Sequence, residues 1–209
     1  MLIPVFPLGL VVFPGERLNL HIFEPRYKQL VNDCVASGNA FGIPPYIEGK
    51  VGLVGTEVEL LSIHRIYANG EMDISVKGNR IFQINELIPD YEDKLYAAAQ
   101  IQWLEFDMLS DNHLSIEIVQ LMQQLHGILN VTKDKIPLPE EFKSFHVSHY
   151  VGLSLEQEFE LLCKKKEVER QKYIYTHLIK ILPVVKETEA LKQRIQANGH
   201  FKNIQPPEF

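Results

Sequence analysis

Cysteine is scarce in this chain: its 209 residues include only Cys34 and Cys163. Two cysteines cannot build a disulfide scaffold or a four-ligand zinc module of the RING type. Both stand in apolar, helix-like surroundings, far apart in sequence. They read as small buried hydrophobes in a reducing compartment. Long apolar runs are also missing, since no stretch of about 18 apolar residues occurs to cross a bilayer as a helix. The opening MLIPVFPLGLVVFP is apolar, but its first charges are Glu16 and Arg17, and Pro4, Pro7 and Pro14 interrupt it. It therefore lacks the basic start and helical centre of a secretory signal, and a cytoplasmic protein is expected. No phosphate-binding G-x-x-x-x-G-K-[ST] motif is present, because Gly49-Lys50 is followed by Val51. No serine sits in a G-x-S-x-G elbow. A catalytic role, and any cofactor, is therefore not expected.

What remains is an ordinary globular composition, 45% apolar and 23% charged, with a formal net charge of −6. A chain of this length buries a core without a metal or a disulfide. The negative charge is concentrated in residues 1–110, which carry 8 Lys and Arg against 14 Asp and Glu. A nucleic-acid surface needs the opposite sign, because it works by neutralising phosphates.

Residues 2–106 read as short strands with turn punctuation: Leu2–Phe6, Arg17–Phe23, Glu57–Tyr67, Met72–Val76, Ile81–Leu87 and Leu95–Phe106. Asn69-Gly70 predicts a two-residue type I′ hairpin, and Gly78-Asn79 a second turn. One helix interrupts the strands. It starts at Pro25, where a missing N–H costs nothing, carries Tyr27, Leu30, Val31, Cys34 and Val35 on one stripe, and stops at Ser37-Gly38. Beyond Ser110 the period turns helical. Leu114, Ile118, Leu121, Met122, Leu125 and Leu129 form an apolar face. The connector Ile136-Pro137-Leu138-Pro139 leads to a helix over 140–150 with Phe142, Phe145 and His149 on one side. Ser154 and Gln157 make a capping box. A long helix from Glu167 to about Ala197 is expected to kink at Pro183, with a frayed tail from Asn198 past Pro206-Pro207 to Phe209. The expected architecture is α+β, with a β-rich unit over residues 1–109 that closes, or nearly closes, into a barrel around one inserted helix. A helical unit over 110–209 follows it.

The segment Phe6-Pro7-Leu8, Val12-Phe13-Pro14-Gly15 and Leu18 through Tyr27 (LNLHIFEPRY) resembles the opening signature of LON domains. Phe41-Gly42-Ile43, Val54-Gly55-Thr56, Gly70 and Gly78 are similar to later landmarks of that family. Two positions depart from its pattern: Asn19, where proline is frequent, and Ile81, where arginine commonly precedes the phenylalanine at Phe82. No role is therefore transferred to Arg80. The resemblance spans nearly the whole chain and implies a PUA-like pseudo-barrel followed by a helical subdomain. It implies the substrate-receiving part of a Lon protease, without ATPase or serine-lysine protease segments. It implies a non-enzymatic, cytoplasmic protein that binds unfolded or exposed polypeptide segments as a receptor or adaptor, with an ATP-dependent protease as a partner. Neither a membrane nor nucleic acid is expected as a partner; the alternative reading is a PUA-like RNA-binding protein.

Candidate site residues follow from the same segment. Phe6, Phe13, His21, Phe23, Glu24, Arg26 and Tyr27 are candidates for the rim of a peptide groove. The competing structural reading puts Phe23 and Tyr27 in the core and has Glu24 hold a corner with Arg26 or Arg65. His146 and His149 lie three apart, but no further ligand at metal spacing accompanies them, so no metal site is expected. Lys164-Lys165-Lys166 reads as a solvated basic run balanced by Glu160, Glu167 and Glu169.

Overall fold

A computed structural model describes residues 1–131 and 136–200, the side chains of 197–200 excepted. The expectation for the tail beyond 200, including Pro206-Pro207, lies outside the described residues. The chain is mixed α and β. Its contacts divide it into one unit of residues 1–108 with 152–167, and another of residues 109–151 with 168–209.

In the first unit the strands are β1 (Leu2–Pro4), β2 (Arg17–Ile22), β3 (Phe41–Ile43), β4 (Tyr46–Ile47), β5 (Lys50–Val51), β6 (Val54–Ile66), β7 (Met72–Ile88) and β8 (Ala98–Trp103). Six of them form one sheet in the order β1-β8-β7-β6-β3, with β2 paired to β7. After β1 the chain runs on beside β3, donating from Phe6 N–H to the Gly42 carbonyl at 2.8 Å and from Leu8 N–H to the Pro44 carbonyl at 3.2 Å.

Strand β7 is one continuous element where the sequence suggests two strands with a turn at Gly78-Asn79. Gly78 marks a close backbone approach, not a turn. A Cβ there would lie 2.3 Å from the Phe13 carbonyl oxygen, and Gly78 exchanges backbone hydrogen bonds with Gly15 and Glu16. β7 also changes partners at this point. β2 leaves it at Arg17↔Lys77, and β8 joins it at Trp103↔Phe82. The hairpin between β6 and β7 also differs in type. Only Gly70 has positive φ (78°), and Gly70 N–H bonds to the Tyr67 carbonyl while Tyr67 N–H bonds to the Glu71 carbonyl. This is a three-residue loop closed by a glycine in the left-handed region. Asn69 is spared positive φ, and its side chain accepts from Glu71 N–H instead.

Helix α1 (Pro25–Ser37) packs Tyr27, Leu30, Val31 and Cys34 inward, ending at Gly38 with φ 70°. Val35, one position past that stripe, is exposed. Its buried face joins a cluster with Phe6, Phe41, Ile43, Val58, Ile74 and Val76, while Ile3, Val5, Phe82, Ile84, Ala99 and Ile101 form another. Each fully buried aliphatic or aromatic side chain of this kind contributes about 1.5–3 kcal/mol. Helix α4 (Leu155–Cys163) belongs to this unit and opens on the Ser154–Gln157 capping box. Phe159 packs against Gly52, and Asp107 bonds through its backbone to Lys165 and Glu167. Cys163 lies exposed at the end of α4, because Leu161 and Leu162 take the inward positions of that turn.

The second unit comprises α2 (Asn112–Leu129), α3 (Ser144–Val147) and α5 (Glu167–His200). Asp111 caps α2 by accepting from His113 and Leu114 N–H. The helix expected over 140–150 is broken into two 3-10 turns and the four-residue α3. Phe142 and Phe145 are buried, but His149 is exposed, since the break rotates it off their face. Pro183, where a kink is expected, lies inside α5, which is helical on both sides of it.

Candidate functional site

The local chain path explains why the signature segment clusters. Phe13, Pro14, Gly15 and Glu16 make a tight turn in which Phe13 N–H donates to Glu16 Oε2 at 2.8 Å. β2 then alternates, with Ile22 turned into the core and Arg17, Asn19 and His21 turned outward. Glu24 accepts at its carbonyl from Tyr27 and Lys28 N–H and starts α1, with Pro25 in the first turn.

A cleft of about 390 Å³ lies where α1 begins. The chain after β1 supplies Val5 and Pro7, α1 supplies Arg26 and Tyr27, the β4–β5 hairpin supplies Tyr46 and Val51, and Leu87 and Ala97 complete the wall. Phe6, buried, stacks on Tyr27 with ring centroids 3.7 Å apart. The Arg26 guanidinium sits 4.5 Å from the centre of the Tyr27 ring and is held by Glu24 Oε2 at 2.7 Å. Burial pushes the Tyr27 hydroxyl pKa up, so it stays a neutral phenol. Tyr46 is 48% exposed. The lining is thus mostly apolar, with a single cation whose direction is set by a carboxylate. Such a surface can receive apolar side chains and orient a polar backbone; it contains no nucleophile paired with a base.

The seven sequence candidates separate into three places. Arg26 and Tyr27 line the cleft, Phe6 stacks on Tyr27, and Glu24 positions Arg26. Phe13 is 1% exposed and packs against β7. His21 and Phe23 form an outward cluster of their own. Phe23 is 58% exposed, contrary to the core position of the structural reading, because Ile22 occupies the inward position and Phe23 follows on the outside. Its ring stacks on His21 at 6.2 Å, and His21 meets Tyr67 edge-on at 5.8 Å. His21 Nδ1 is 2.7 Å from Asp73 and Nε2 is 3.3 Å from Glu71, while Tyr67 donates to Asp73 at 2.7 Å. The hydrogen bond with Asp73 raises the His21 pKa, helped by the charges of Asp73 and Glu71. Arg65 lies over Tyr67 and leaves Glu24 to Arg26.

Tyr46, Val51, Leu87 and Ala97 escape a reading of the sequence, since no motif or period links positions so far apart. The adjacent Pro44-Pro45 is the one local sign that Tyr46 is held at a bend. Among the described residues no group of three His, Cys, Asp or Glu could hold a metal ion, and no helix is long and apolar enough to cross a membrane.

Comparison with solved structures gives a Lon N-terminal domain protein from Xanthomonas campestris, 23% identical, with a TM-score of 0.65 over 84% of this chain and 98% of that one. The N-terminal domain of a Mycobacterium avium complex Lon protease is 16% identical, with a TM-score of 0.61 over 85% of this chain and 98% of that one. At these identities the likeness is one of fold. No curated protein matches the chain. The family model described as the ATP-dependent protease La (LON) substrate-binding domain matches residues 2–180, so the chain belongs to the family of LON substrate-binding domains.

Proposed function

We propose that this LON domain takes hold of extended, apolar segments of other polypeptides in the cleft at the start of α1, and that it does so without catalysis. The observation that carries this reading is the cleft itself: an apolar trough on a rigid Phe6–Tyr27 stack, with Arg26 fixed at its edge by Glu24. Apolar pockets beside backbone polar groups are the usual means of receiving an extended chain. The run of the chain from Val5 to Leu8 beside β3 supports a pseudo-barrel of the PUA-like type as the rigid base. On this reading the protein is a cytoplasmic receptor or adaptor for unfolded or exposed polypeptides, with an ATP-dependent protease as a partner. Phe13 then acts as part of the scaffold, and His21 and Phe23 as a flank beyond the cleft.

Fluorescence anisotropy with a labelled, permanently unfolded polypeptide tests the proposal, with a labelled single-stranded RNA run beside it. Saturable binding to the polypeptide is expected, weakened by Tyr46→Ala and Arg26→Ala by about tenfold each, or about 1.4 kcal/mol. Phe23→Ala is expected to have a smaller effect. Unchanged affinity in both cleft variants, with folding intact, overturns the site. Binding to RNA alone, falling steeply with salt, replaces the reading with the RNA-binding alternative.

A further inference from the structure

The second half of α5 is a different kind of surface from the rest of the helical unit. Arg170, Gln171, Ile174, His177 and Leu178 are buried, but between Ile179 and Gln196 no residue is. A solvent-exposed helix of about that length is marginal in water unless something packs on it. The exposed half nevertheless carries large apolar side chains, with Val184 62%, Leu191 57% and Ile195 62% exposed. With Ile181 and Thr188 they recur at alternating spacings of three and four, which is the seam of a two-helix coiled coil.

The positions beside this seam are charged in a self-complementary way. Laying a second copy of the helix antiparallel, so that Thr188 meets Leu191 and Val184 meets Ile195, sets Glu187 of each copy opposite Arg194 of the other. The stem of Lys192 then lies along Val185, and Lys192 keeps its ion pair to Glu189 at 2.6 Å within its own helix. A groove at the root of the exposed half, walled by Leu121 and Ile128 of α2 and by Ile179, Leu182 and Pro183 of α5, takes up the opposite side of α5, so the seam faces away from α2.

We propose that this seam is a self-association surface, and that two copies of the chain pair through an antiparallel coiled coil of their α5 helices. The pairing is independent of the cleft in the β-rich unit, so each can fail without the other.

The test is sedimentation equilibrium of the full chain over a wide concentration series, with circular dichroism and polypeptide binding followed in parallel. The wild type is expected to reach a dimer. The double variant Leu191→Asp with Ile195→Asp is expected to stay monomeric, with the β-rich unit folded and polypeptide binding retained, because both positions are exposed. Glu187→Arg alone and Arg194→Glu alone are expected to weaken the dimer by about tenfold or more, and the two together to restore it. A wild type that is monomeric throughout, a dimer indifferent to the Asp variants, or a charge exchange that fails to restore overturns the proposal. Restoration by exchanging Glu187 with Lys192 instead overturns the antiparallel arrangement.

Discussion

The two units bury different chemistry. Inside the β-rich unit nearly every buried side chain is apolar, with Thr56, Glu57 and Glu167 the polar members. Thr56 donates to the Val12 carbonyl, and Glu57 takes a two-pronged pair from Arg80 at 3.1 and 3.2 Å. The helical unit buries Ser115, His126, Ser144, Ser148, Arg170, Gln171 and His177. Gln171 alone accepts from Asp111 N–H at 2.8 Å and donates to the Asp111 carbonyl and to Ser115 Oγ. His126 and His177 donate to the Tyr150 and Val151 carbonyls, and Arg170 stacks over Phe145 at 4.3 Å. A sheet satisfies its own backbone through strand pairing. Irregular connections such as 137–151 need side chains to do so, and polar burial is how this unit keeps those connections in place.

That contrast breaks most visibly at Phe82. Its ring fills the space beside Gly42 and Gly55, where added Cβ atoms would lie 2.6 and 2.7 Å from it. Phe82→Ala should cost about 3–5 kcal/mol in chemical denaturation. Gly42→Ala should cost about 1–3 kcal/mol by overpacking, and less in a Phe82→Leu background, because the two side chains compete for one volume. A purely additive result would mean that the glycine serves backbone conformation and not the ring.

The next effect separates the two interiors directly. Ile74→Leu, a volume-conserving exchange in the β-rich core, should cost less than about 1.5 kcal/mol. Gln171→Leu also adds no bulk, yet it strips the half-buried Asp111 N–H of its acceptor and the buried Ser115 hydroxyl of its donor, and should cost about 1–3 kcal/mol. Amide hydrogen exchange should show the loss in the first turn of α2. If Gln171→Leu were as mild as Ile74→Leu, the polar interior of the helical unit would be incidental to its stability.

The same contrast explains what could be read in advance. The α1 start at Pro25, the capping box at Ser154 and the α2 stripe at Ile118, Met122 and Leu125 follow from local rules and stand where those rules put them, whereas Leu129, expected on that stripe, is 42% exposed at the last turn. Gly78 did not, because a glycine that forms a turn and one that admits another strand's carbonyl look alike in one dimension. Phe23 went to the outside, since its aromatic character says nothing about which side of β2 the preceding Ile22 claims. Arg170 and Gln171 were invisible, because apolar periodicity treats a buried polar residue as part of the solvent face. Of the cleft, Arg26 and Tyr27 belong to the signature segment. Tyr46, Val51, Leu87 and Ala97 come together only through the sheet order.

The smallest effect concerns polar groups on the outside of the β-rich unit. The pKa of His21 is raised above its ordinary 6.5, first by the hydrogen bond to Asp73. Its contribution to stability is therefore complete below about pH 6.5 and lost as pH rises through the raised value. The pKa of Asp73 is lowered from 3.8, first by the bond with His21 and then by that from Tyr67. Its contribution is present above 3.8 and lost as pH falls through the lowered value. The two coincide between about pH 3.8 and 6.5, where the cluster is expected to stabilise most. Asp73→Asn should return the His21 titration, followed by NMR, towards 6.5 and flatten the dependence of the melting temperature on pH above that value. Both side chains are solvent-exposed, so added salt should screen most of the effect. A shift in melting temperature as large as that of Gln171→Leu would mean that the exterior cluster organises its unit as the buried one does, and the contrast between the two units would fall.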